Sequence, residues 1–315
     1  MATKANHHYI PQFYLRGFSA GVGRQAQVFV FDSDIKKSFT TLVRNIGSRR
    51  HFNRVEAHGV EPNHIEDAMS EIEAKIAPHL QQVIEAKAFP SPEHFNSIMN
   101  LIALTSVRNP RLRGNMSEFH KQVVERVMGL SISTKEIWES QTKQMRESGV
   151  PVKDDLTYED MKRFHDEKNY EIVIDQTHLI GLELKMVEPV LEQLSQRSWC
   201  FACAPAGHQF ITCDDPAVLS WTEKVKQPNP WSPGHGLQNT IVMFTLSPEL
   251  ALVGLFEDLP ERSDYRPEQV VALNTAVARH SRNQIYARDG GFMLHLKNRQ
   301  FVRGDELPRV FLARG

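Results

Sequence analysis

Residues 91–111 read Ser-Pro-Glu-His-Phe-Asn-Ser-Ile-Met-Asn-Leu-Ile-Ala-Leu-Thr-Ser-Val-Arg-Asn-Pro-Arg, and this stretch decides the fold class. Ser91-Pro92-Glu93 opens a helix, because proline is tolerated in a first turn. Phe95, Ile98, Met99, Leu101, Ile102, Ala103, Leu104 and Val107 then leave almost no polar face, so the helix is expected to be buried and central. It should stop at Arg108-Asn109, ahead of Pro110.

On the N-terminal side, Ile65, Met69, Ile72, Ile76, Leu80 and Val83 recur at three- and four-residue intervals and predict an amphipathic helix starting beside Pro62. On the C-terminal side, further helix is expected through Phe119–Met128 and at 134–147, 157–168 and 176–196, with Gly149-Val150-Pro151 as a hinge. Beyond both flanks the period falls to two. Gln27–Asp32 and Ser38–Val43 read as strands, as do Trp199–Ala204, Gln209–Cys213, Thr240–Leu246 and Leu250–Leu255. The turn Pro205–His208 suggests a hairpin pairing the first two of these later strands. A helix from Pro267 to about Arg282 and an edge strand near Phe292–Leu296 follow. The expected class is α+β: an antiparallel sheet drawn from N- and C-terminal strands, packed on a helical middle region at about 62–196, in one domain covering 1–315.

The 315 residues are 41% hydrophobic and 24% charged, which excludes collagenous, disordered and disulfide-scaffold classes. The net charge of −1 conceals a gradient. Residues 1–54 hold nine Lys and Arg against Asp32 and Asp34, a net of +7, which suits either an anionic ligand such as a nucleotide or nucleic acid or docking of this segment on the acidic remainder of the chain. No apolar run approaches the roughly 18 residues of a membrane span, so no membrane partner is expected. Three cysteines and an N-terminus without an apolar core segment point to a cytoplasmic protein. Oligomeric state is not legible.

Cys200, Cys203, His208 and Cys213 have the C-x2-C-x4-H-x4-C spacing of a zinc knuckle. The expected hairpin opposes it, since Cys200 would lie across from Cys213 while Cys203 points to the other face. Zinc is therefore disfavoured, and a divalent metal is left open.

The densest chemistry is His7-His8-Tyr9-Ile10-Pro11-Gln12-Phe13-Tyr14-Leu15-Arg16-Gly17-Phe18: two imidazoles, an amide and a guanidinium within ten residues. This run closely resembles the opening motif of the family catalogued as domain of unknown function 4238 (DUF4238). Arg108-Asn109-Pro110-Arg111, Phe210–Pro216 and Phe244–Pro248 resemble later motifs of the same family in order, with a weaker echo at Leu273-Asn274 and Tyr286-Ala287. Cys213-Asp214-Asp215-Pro216 stands where the family usually has Ser-Asp-Asn-Pro, and Thr245 where proline is usual. The resemblance implies a set of positions and, for some members, anti-phage defence, but no reaction.

Two readings of those positions stay open. In the first, the protein is a nuclease-like hydrolase of a phosphodiester or nucleotide. His8 is then the general acid/base, Gln12, Arg108 and Asp214 complete the catalytic group, and His7, Arg16, Arg111 and Asn274 bind substrate. In the second, it is a non-enzymatic sensor or binding protein, and the same residues form a buried structural network.

Overall fold

The computed structural model describes residues 5–21, 23–153, 155–225, 231–296 and 300–312. By their contacts the residues form two units: one of the chain up to Arg111 and from Ile180 onward, and one of Leu112–Leu179.

The first unit begins with β1 (Asn6–His8), α1 (Gln12–Arg16), β2 (Gln27–Asp32), β3 (Lys37–Leu42) and β4 (Ser48–Arg50). The helices α2 (His64–Ala86) and α3 (Pro92–Val107) follow. α4 (Pro110–Ser131) starts here and continues into the second unit, which also holds α5 (Lys135–Glu147), α6 (Tyr158–Asp166) and the start of α7 (Gln176–Ser195). The first unit resumes within α7. It continues with β5 (Ser198–Cys203), β6 (Thr212–Cys213), β7 (Val218–Trp221), β8 (Thr240–Ser247), β9 (Leu250–Leu255) and β10 (Arg262–Asp264). Last come α8 (Pro267–His280), β11 (Gln284–Ala287), β12 (Met293–His295), β13 (Phe301–Arg303) and α9 (Leu307–Leu312).

A five-stranded sheet runs β10-β5-β9-β8-β7, antiparallel except for the parallel β10/β5 pair. Successive residues of its strands enter two different cores. Phe201, Cys203, Val242, Phe244 and Leu252 pack with Ile76, Leu80 and Val83 of α2 and Ile98, Met99 and Ile102 of α3. Ala202, Met243, Ala251 and Val253 pack with Val270, Leu273 and Val277 of α8. A sheet covered on both faces needs strands that are apolar throughout, which is how β5, β8 and β9 read. A second sheet, β3-β2-β11-β6, joins the N- and C-terminal strands as expected, with Asp32 opposite Gln284 and Ala287 opposite Phe29.

One expectation is corrected. The 199–213 hairpin does not form. The turn exists, with His208 N–H donating to Pro205 O at 3.1 Å, but β5 pairs with β9 and places Cys200 opposite Val253. β6 belongs to the other sheet, where Cys213 faces Ile285 of β11. The physical reason is two-sided burial: a strand apolar on both faces is more stable between β9 and β10 than at the tip of a hairpin. The strand near 292–296 is real but pairs with β13 in a sheet of its own.

The second unit is helical with few buried side chains, Ile132 and Leu179 among them, and it exposes apolar ones such as Phe119, Val127, Leu130 and Val173. Gly149-Val150-Pro151 lies in its α5–α6 connection. Among the described residues no helix is long and apolar enough to cross a membrane.

Candidate functional site

The opening motif is held by backbone and aromatic contacts before it offers any reactive group. Tyr9 and Ile10 N–H both donate to Gly47 O, at 2.9 and 3.2 Å, and Pro11 then starts α1. Tyr14 is fully buried. Its hydroxyl donates to Thr245 O at 2.8 Å and lies 2.7 Å from Thr212 Oγ1, so one phenol ties α1 to β6 and β8. Three of the four motif segments thus meet at Tyr14, as architecture.

Next to this frame is a polar cleft of about 210 Å³, lined by Tyr9, Asn45 to Arg49, Asn109 to Arg111, Asp214, Asp215 and Arg282 to Gln284. Asp214 follows β6 directly and is bound by the loop after α8. Its Oδ1 accepts Arg282 N–H at 2.8 Å, and its Oδ2 accepts the N–H groups of Asn283 and Gln284 at 2.8 and 3.1 Å. Burial raises its carboxyl above the ordinary range, and these three amide donors work against that shift. Asp215 is buried and ion-paired with Arg111. His280, at the end of α8, completes a cluster: its Nε2 lies 2.7 Å from an Arg111 Nη and 3.3 Å from Asp215 Oδ2, and its carbonyl accepts Arg111 Nη1–H at 3.2 Å. Burial, with the Asp214 carboxylate nearby, pushes the Tyr9 hydroxyl up to about 12, so it is a neutral donor at physiological pH. Arg49 and Arg282 are exposed on the same cleft, and among the described residues neither pairs with a carboxylate.

Of the residues expected from sequence, the structure brings Arg111 and Asp214 together here. His7 is buried, and its Nδ1 accepts the Asn53 N–H at 2.9 Å. Arg108 is buried at the C-terminus of α3, its N–H bonded to Leu104 O. Asn274 is buried within α8, where its Nδ2 donates to Gln209 O at 2.9 Å and its Oδ1 accepts the Ile211 N–H at 3.1 Å. His8, Gln12 and Arg16 form a chain from the end of β1 along α1: Gln12 Nε2 meets His8 Nδ1 at 3.5 Å, and Arg16 donates to Gln12 Oε1 at 3.4 Å. Burial lowers the affinity of His8 for a proton, against the pull of Glu66 and the Arg44 carbonyl. Gln12 and Arg16 line a separate cleft with Arg24 and Arg44. Arg49, Arg282 and His280 escaped the sequence reading because they lie outside the recognisable motifs; only the +7 segment hinted at Arg49.

Cys203 lies in the core under α2 and α3, and Cys213 in the core under α8, where its Sγ–H donates to Asp215 O at 3.0 Å. No group of three or more His, Cys, Asp or Glu among the described residues is placed to hold a metal.

The sequence profile of the family described as Protein of unknown function (DUF4238) matches residues 6–291, and the chain belongs to that family. No curated protein and no solved structure matches it.

Proposed function

We propose that this member of the DUF4238 family binds a phosphate-bearing ligand of nucleotide type in the Tyr9–Arg111–Arg282 cleft, and that its motif residues build the cleft more than they react in it. The observation that carries this reading is the division of labour among charges. The acids on the floor are already engaged, Asp214 by three amides and Asp215 by Arg111, while Arg49 and Arg282 have no carboxylate partner among the described residues. Guanidinium forks match phosphate oxygens bidentately, and Asn45, Asn283 and the neutral Tyr9 hydroxyl add directional hydrogen bonds. Isothermal titration of the full chain with nucleoside mono-, di- and triphosphates tests this. Arg49→Ala with Arg282→Ala should weaken binding at least about tenfold, the scale of one lost charge-assisted contact. Unchanged affinity in that variant, or no binding by the wild type, would overturn the reading.

One feature favours a hydrolytic version of the same site. An imidazole beside a buried carboxylate is a usual general-base pair, and His280 Nε2 lies 3.3 Å from Asp215 Oδ2, although the same nitrogen also meets an Arg111 Nη at 2.7 Å. The acid/base role moves here from His8, the last residue of β1, because it is His280 that contacts Asp215 and Arg111. Labelled RNA, DNA and nucleotides incubated with wild type and His280→Ala distinguish the versions: turnover abolished by the substitution supports hydrolysis, and binding without turnover supports a sensor. A cytoplasmic role in phage defence belongs to the same proposal. Plaque counts on cells expressing wild type or the Arg49/Arg282 variant test it, with equal counts speaking against it.

A further inference from the structure

We infer that the cleft beside α1 is a second, non-catalytic anion site that takes a compact oligophosphate, the diphosphate or triphosphate group of a free nucleotide. It uses none of the residues of the site proposed above, so either can fail alone. The cleft, about 360 Å³, is lined by Gln12, Arg16, Gly23, Arg24, Val43 and Arg44, together with Ala26. Three arginines line it, and among the described residues no carboxylate, thiol or imidazole does. Among the described residues none of the three arginines pairs with a carboxylate. Like charges gathered around one concavity repel each other and concentrate an anion there.

The arginines come from three segments that the backbone fixes together. Arg24 lies in the turn Gly23–Gln25, which Gly23 enters at φ +60°. Arg44 lies in the turn Val43–Asn45, and Val43 N–H donates to Ala26 O at 3.1 Å, locking the two turns side by side. Arg16 is steered by Gln12, whose amide is anchored in turn on His8. A partly preorganised set of forks loses less entropy on binding than free side chains would. The number of forks sets the ligand class. On an orthophosphate three forks must crowd onto the oxygens of one phosphorus, whereas a diphosphate or triphosphate spreads them over the oxygens of two or three. Among the described residues no group lining the cleft can carry a proton, so the bound ligand is held and not cleaved.

Isothermal titration of the full chain with inorganic pyrophosphate, tripolyphosphate and orthophosphate tests the inference. Pyrophosphate and tripolyphosphate should bind at least tenfold more tightly than orthophosphate. Arg24→Gln with Arg44→Gln should weaken them at least tenfold while the melting temperature stays unchanged, because both side chains are exposed. The Arg49/Arg282 variant should leave this binding intact, which separates the two sites. Equal affinity for orthophosphate, no effect of the Arg24/Arg44 substitutions, or loss only in the Arg49/Arg282 variant would each overturn it. So would binding of single-stranded RNA without binding of either oligophosphate, which would make the surface a nucleic-acid track instead.

Discussion

Asn283 donates its backbone N–H to Asp214 at 2.8 Å, and the amides on either side of Asn283 donate to the same carboxylate. Asp214 therefore folds the 282–284 loop that forms one wall of the cleft. Asp214→Ala should cost roughly 3 kcal/mol, since it orphans half-buried amide donors, and Asp214→Asn clearly less. Urea unfolding of both variants reads the difference; an alanine variant as stable as wild type would mean that the loop holds itself.

The clearest pH effect belongs to His235. Burial, with the Arg197 charge second, brings it down from 6.5 to about 4. Between those values the unfolded chain binds a proton that the folded chain refuses. Stability is therefore intact above about 6.5 and is lost as pH falls toward 4, by up to roughly 3 kcal/mol. In His235→Gln the slope of unfolding free energy over that window should flatten, as measured by denaturant titration at several pH values.

Gly47 carries φ +62°, and a Cβ there would meet Leu15 Cδ1 at 3.0 Å and Ile10 Cβ at 3.2 Å. Gly47→Ala should lose roughly 1–3 kcal/mol through backbone strain and this crowding. Gly59, also at positive φ but with open space around it, is the control: its alanine variant should suffer only the backbone part. Equal losses at the two positions would remove the crowding argument.

Burial, with Asp214 and Asp215 close by, holds the Cys213 thiol well above its ordinary value. It should resist a disulfide reagent at neutral pH in the native protein and react fully in denaturant. Quantitative labelling with mass-spectrometric assignment decides this, and fast native modification of Cys213 would contradict it.

We further propose that the whole chain unfolds as one domain. The unit Leu112–Leu179 buries few apolar side chains, too few to melt as a separate cooperative body. Calorimetry should show one transition, and two resolved transitions would divide the chain.

The elements were legible where one local rule sufficed. Gln27–Asp32 and Leu250–Leu255 have the limits their composition predicts, and the unbroken apolar face of 95–107 did mark a buried helix. Partnership was not legible. Nothing within Trp199–Cys203 says that Leu250–Leu255 lies beside it, because register is fixed by a strand some fifty residues on and by cores on both faces. The same limit governed the site. Arg111 and Asp214, named through their motifs, line one cleft, whereas Asp215's partner His280 is an ordinary helix-terminal residue by sequence. The strongest motif pointed first to construction: His7, Tyr14 and Asn274 hold backbone and neighbouring elements in place.

The pairing of β2 with β11 also imposes a timetable. Asp32 and its partner Gln284 are 252 positions apart, so a ribosome adding about 5–20 residues per second leaves one edge of β2 open for on the order of tens of seconds. The hairpin with β3 can close early, but its other side stays a bare strand edge carrying Phe29 and Phe31. Loop 282–284 and Asp214 also arrive late. The nascent chain must therefore pass through a sticky interval with its cleft unbuilt, and yield in cells should depend on how well chaperones shield that edge.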